Sequence, residues 1–119
     1  MQILFESRDA NGAHMRDSSV ERVQFVLRRL KAVVPRVKVQ FSDVNGPRGG
    51  VDKRCLVELS TEAVGTVVIA SLARDWSTAL DRSLRRASRV LTRGLQRSQK
   101  AVRVRTAKSE RVNFAGVDE

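Results

Sequence analysis

With 119 residues the chain has room for one modest hydrophobic core and little more. Lys and Arg number 23 against 13 Asp and Glu, a formal net charge of +10 that favours polyanionic partners, either nucleic acid or an anionic membrane surface. The single Cys55 rules out an internal disulfide and a cysteine-based zinc cluster, and no apolar run approaches the roughly 18 residues that span a bilayer.

The start MQILFESRDA lacks a basic region followed by a long apolar run, so the expectation is a protein of the reducing cytoplasm. Residues 2–8, QILFESR, read as a strand with Ile3 and Phe5 on one side, closed by the polar turn DANGAH. From Ser18 or Ser19 as N-cap, SVERVQFVLRRLKAVV sets Val20, Val23, Val26, Leu27, Leu30 and Val34 at helical spacing until Pro35 ends the helix. Val37, Val39 and Phe41 then alternate with Lys38, Gln40 and Ser42, the signature of a strand with one buried face.

The stretch DVNGPRGG is dense in turn formers and predicts a loop. KRCLVELST follows as a strand with Cys55, Val57 and Leu59 toward the core, and GTVVIASL as the next, so that the three strands form an antiparallel meander. Asp75 is a good N-cap for a long second helix from Trp76 to about Lys100, with Gly94 its weak point. Residues 101–119 mix charges with isolated apolar residues and are expected as a flexible tail after a domain of residues 1–100, although VRVR could pair as a strand. The resulting order, β-α-β-β-β-α, predicts an α+β fold with two helices packed on one face of a four-stranded sheet.

The second helix carries the clearest functional signal. With Leu80 at zero on a helical wheel, Leu84, Ala87, Leu91 and Leu95 fall within roughly 60° of it and form one apolar stripe. Arg82, Arg85, Arg86, Arg89, Arg93, Arg97 and Lys100 fall between roughly 140° and 260°, on the opposite side. An ordinary solvated face mixes signs to gain i,i+4 pairs, whereas here only Asp81 offsets the cations and neighbouring arginines repel. That imbalance points to a bound polyanion.

Arginine forks bind phosphate bidentately and stack on bases, which favours nucleic acid over a purely electrostatic membrane patch. A membrane helix would also need the apolar stripe that the sheet claims. Arg22, Arg28, Arg29 and Lys31 of the first helix, with Lys53 and Arg54, are further candidates for the basic surface. No pair of aromatics sits on a strand as in base-stacking sheets, so recognition is expected to run through backbone and shape.

The residues that could suggest catalysis have plainer readings. Trp76 reads as a packing residue, His14 has no visible partner, and Cys55 lies on the apolar side of its strand as a small hydrophobe. NGPRGG lacks the GxxxxGK[ST] spacing of a phosphate loop. No cofactor, metal or small-molecule substrate is expected, and the chain reads as a non-enzyme.

Several segments, in order, resemble the short form of the ribosome hibernation-promoting factors, also called sigma-54 modulation or ribosomal S30EA-like proteins. They are the strand ending in Ser7-Arg8, the LRRL of Leu27 to Leu30, SDVNGPRGGVDKRC from Ser42 to Cys55, and DWSTALD from Asp75 to Asp81 ahead of the arginine-rich helix. The resemblance covers about residues 1–100. It implies a fold similar to double-stranded RNA-binding domains and binding of ribosomal RNA in the decoding region of the small ribosomal subunit, where mRNA and tRNA are occluded. It further implies a bacterial stress-response protein that inhibits translation, here expected as a monomer. A free-standing binder of structured RNA and a protein-interaction module that modulates transcription are the alternatives, because the basic surface serves either.

Overall fold

The computed structural model describes residues 1–44 and 51–110, with side chains as far as Ser98. Its elements are β1 (Gln2–Ser7), α1 (Ala10–Ala13), α2 (Arg16–Val26), a 3-10 turn (Arg28–Val33), β2 (Arg36–Asp43), β3 (Lys53–Thr61), β4 (Gly65–Ala73) and α3 (Trp76–Glu110). The four strands form one sheet in the order β1-β2-β3-β4. β2, β3 and β4 are the expected antiparallel meander, while β1 runs parallel to β2, with Ile3 opposite Val37 and Phe5 opposite Val39. The fold is α+β, with the helices on one face of the sheet.

Alternation decides which face that is. Val37, Val39 and Phe41 of β2 lie beside Leu59, Val57 and Cys55 of β3, and all six are fully buried under α2 and α3. The helices supply Val23, Leu27, Ala79, Leu84, Ala87 and Leu91 to the same core. One end is plugged by aromatic rings: Phe41 meets Phe5 edge-on at 5.1 Å and stacks on Trp76 at 4.7 Å. Trp76 is thus a packing residue, as its position beside the helix start suggested. Gly12 abuts this plug, where a Cβ would lie 2.6 Å from Ser7 Oγ and 3.2 Å from Phe41 Cδ2.

The helical segments differ from the sequence reading in three places. DANGAH is not only a turn: Asp9 accepts from Asn11 N at 2.8 Å and caps the short helix α1. α2 starts at Arg16, before Ser18, and gives way after Val26 to the 3-10 turn that holds most of LRRL. The β-branched Val33 and Val34 and the restriction that Pro35 places on its predecessor all oppose a further α-helical turn, and Val34 is already extended.

The third difference lies at the other end. α3 continues to Glu110, so residues 101–110, expected in the tail, are helical, and VRVR is helix instead of strand. No Gly or Pro interrupts residues 95–110, and Ala, Arg, Lys and Gln are good helix formers. Residues 111–119 of the expected tail and residues 45–50 of the expected loop lie outside the described residues.

Gly94 has a packing reason for its place in α3. A Cβ there would come within 2.7 Å of Val64 Cγ1, in the β3–β4 turn, so glycine lets the helix cross that turn closely. Among the described residues no helix is long and apolar enough to cross a membrane.

Candidate nucleic-acid interface

α3 is anchored at its start by Asp75, whose carboxylate accepts from Thr78 N at 2.8 Å and from the Thr78 hydroxyl at 3.0 Å. Those bonds hold the Asp75 carboxyl below its ordinary range. Leu80, Leu84, Ala87 and Leu91 are buried against the sheet, and the buried Ser83 donates to Cys55 O at 2.9 Å. This pins the rotation of the helix and turns Arg82, Arg85, Arg86, Arg89, Arg93 and Arg97 to solvent, where all six are exposed. Lys100 belongs to the backbone of α3, but its side chain lies outside the described residues.

Two of the six also close the sheet. β4 is an edge strand, and Arg82 donates to Leu72 O at 3.0 Å while Arg86 donates to Ala70 O at 3.3 Å. The edge carbonyls thereby find donors, and the two guanidinium groups are held in place. Between β4 and α3 runs an open groove of about 330 Å³, lined by Ser71, Leu72, Arg82, Arg85, Arg86 and Arg89. Four guanidinium groups around one concavity form a ready phosphate cradle.

Asp81 is not spent on these arginines. Its carboxylate receives both Nε and Nη2 of Arg22 at 2.6 and 3.1 Å, a bidentate tie between α2 and α3 that raises the Arg22 pKa above its ordinary value. Among the described residues no ion pair involves an arginine of α3; Asp75, at the start of the helix, lies near enough to Arg82 to feel its charge, and the arginines further along repel one another.

The remaining candidates divide. Arg28, Arg29 and Lys31 are exposed on the 3-10 turn. Arg22 is half-buried in its ion pair and serves as a cross-link before it serves as a contact. Lys53 is turned inward, 2.8 Å from Asp43 and 3.4 Å from Asp52, with its ammonium 5.5 Å from the Trp76 ring. The hydrogen bond to Asp43 is the main cause of its raised pKa. Arg54 alternates with buried Cys55 and so belongs to the face of the sheet opposite the helices. Spacing along the chain reveals none of these three outcomes, because each depends on a distant partner or on strand register.

Cys55 is buried, and burial pushes its thiol up to about 12, the opposite of what a nucleophile needs. Among the described residues no group of three His, Cys, Asp or Glu side chains could hold a metal ion.

One exposed aromatic is not singled out by sequence spacing. Phe25 lies off the buried Ser19-Val23 stripe of α2 and is 55% exposed. Arg28 sits 4.3 Å and Arg22 5.4 Å from its ring centroid.

These features define a class: a small α+β domain that presents an arginine-lined helical face. No family model matches the sequence, and no curated protein matches it significantly. Among solved structures it is similar to the N-terminal domain of Protein Y from Thermus thermophilus, with a TM-score of 0.58 and 22% identity over 78% of this chain and 98% of that one. It is also similar to a ribosomal subunit interface protein from Coxiella burnetii, with a TM-score of 0.56 and 11% identity over 78% of this chain and 96% of that one. The chain shares their fold, which is the fold expected from its resemblance to the hibernation factors.

Proposed function

We propose that this protein is a hibernation factor that binds ribosomal RNA in the decoding region of the small ribosomal subunit and inhibits translation by occluding the mRNA and tRNA sites. The observation that carries the reading is the arginine face of α3, which forms no ion pair among the described residues and stands on a fold shared with a ribosomal subunit interface protein. Exposed guanidinium groups along one helix and around the β4–α3 groove suit a double line of phosphates, and affinity of that kind requires shape and charge more than base identity. Inhibition by occlusion uses no catalytic group and is stoichiometric.

The test is sedimentation of the protein with ribosomes through sucrose at low and high salt, paired with titration of cell-free translation. Co-migration with small subunits that is lost at high salt, and inhibition that saturates near one molecule per ribosome, are the expected results. Association with free RNA alone would favour the structured-RNA binder, and a ribosome-free complex that survives RNase would favour the protein-interaction module. Inhibition far below one molecule per ribosome would point to an enzyme.

A further inference from the structure

Helix α2 turns Ser19 and Val23 to the core, and Leu27 just after it is buried as well, which leaves Phe25 pointing away from the core. A single exposed apolar side chain is ordinary on a protein surface; what sets Phe25 apart among the exposed large hydrophobics of the described residues is that it is aromatic and has two arginines against its ring. Its setting is specific. The Arg28 guanidinium lies 4.3 Å from the ring centroid and also donates to Phe25 O at 2.6 Å, so it is fixed at both ends of the same residue. Arg22, 5.4 Å from the centroid, is fixed in turn by its two hydrogen bonds to Asp81 of α3. The ring therefore stands in a held cluster of cations that reaches α3 one helical turn before Arg85.

We infer that Phe25, with the Arg28 guanidinium against it, is a stacking platform for an unpaired nucleobase at the rim of the phosphate-binding surface. The inference rests on the RNA-binding reading above and adds to it a preference for RNA with unstacked bases. An aromatic ring and a guanidinium plane are the two surfaces on which proteins stack extruded bases, and here they occur together. The anchoring of both arginines means that little side-chain freedom remains to be lost when a base arrives. Because every base has a π-face, the platform selects for single-strandedness and not for sequence. This departs from the expectation of pure backbone readout.

The test compares wild type, Phe25→Leu and Phe25→Tyr for binding to a short single-stranded RNA and to a fully paired duplex of the same length, by fluorescence anisotropy across a salt series. Circular dichroism first checks that the variants are folded. Phe25→Leu should weaken single-strand binding about tenfold, leave duplex binding unchanged and leave the salt slope unchanged, since no charge is removed. Phe25→Tyr should bind as wild type. Equal loss on both RNAs, or loss on neither, would overturn the platform. So would a Phe25→Leu variant that keeps its RNA affinity but no longer sediments with ribosomes, because the ring would then face a protein. Wild-type protein that binds neither RNA would instead contradict the RNA-binding reading itself.

Discussion

Reversal of Arg89 and Arg93 to Glu separates binding from folding more cleanly than reversal of Arg82 and Arg86. Both side chains are exposed, and neither is tied to the sheet, unlike Arg82 and Arg86 with their β4 carbonyls. Each charge-assisted bond to phosphate is worth roughly 1.5 to 3 kcal/mol, so losing two costs about 3 kcal/mol at the least, a hundredfold or more in affinity. The slope of log affinity against log salt should become shallower by roughly two, since two fewer phosphates are neutralised. Stability should hold or rise slightly. The carboxylate introduced by Arg89→Glu would face Arg85 and Arg86, and that introduced by Arg93→Glu would face Arg97, at spacings worth about 0.2 to 0.5 kcal/mol per pair. The assay is co-sedimentation with ribosomes over a salt series, beside thermal melting. A natively folded double mutant that sediments as the wild type does would refute the reasoning. The matching Arg82→Glu/Arg86→Glu variant should lose binding and also melt earlier, because it uncovers the edge of β4.

Asp75→Ala should lower stability by about 1 kcal/mol through loss of the α3 N-cap, measured by urea denaturation at neutral pH. Because the folded Asp75 carboxyl is held below its ordinary range, its contribution is complete at pH 7 and is lost as pH falls through the folded pKa, so wild type and variant should converge in acid. Cys55 should resist alkylation in the native protein at mildly alkaline pH, and its labelling rate should follow global unfolding; fast native labelling would contradict a buried thiol pushed up to about 12. Gly94→Ala should destabilise despite its better helix propensity, because the new methyl meets Val64 Cγ1 at 2.7 Å, and Gly94→Ala combined with Val64→Ala should recover the loss in a melting experiment.

The sheet and the α3 stripe could be read in advance because each repeats one physical rule along a short stretch. Val37-Val39-Phe41 alternates, Leu80-Leu84-Ala87-Leu91 recurs every turn, and both patterns were imposed by the same core. What escaped depends on partners far along the chain. Ile3 and Phe5 mark a buried face but say nothing of which strand lies beside them. By spacing alone Arg22, Lys53 and Arg54 are alike as free cations, yet one reaches Asp81, one turns in to Asp43, and one faces away from the helices. The far end of α3 escaped for a different reason: the expected period fades at residues 101–110, and there helix propensity, not an apolar stripe, is the remaining sequence signal.

The parallel pairing of β1 with β2 also bears on how the chain reaches this shape. Its partner comes only after α1, α2 and the 3-10 turn, whereas β3 and β4 each follow closely on the strand they pair with. Closing the longer loop costs more chain entropy before any contact rewards it, so the expected order is that the β2-β3-β4 meander forms before β1 is added to its edge. Substitutions in β1 should then speed unfolding while hardly slowing folding, which stopped-flow kinetics of folding and unfolding would check.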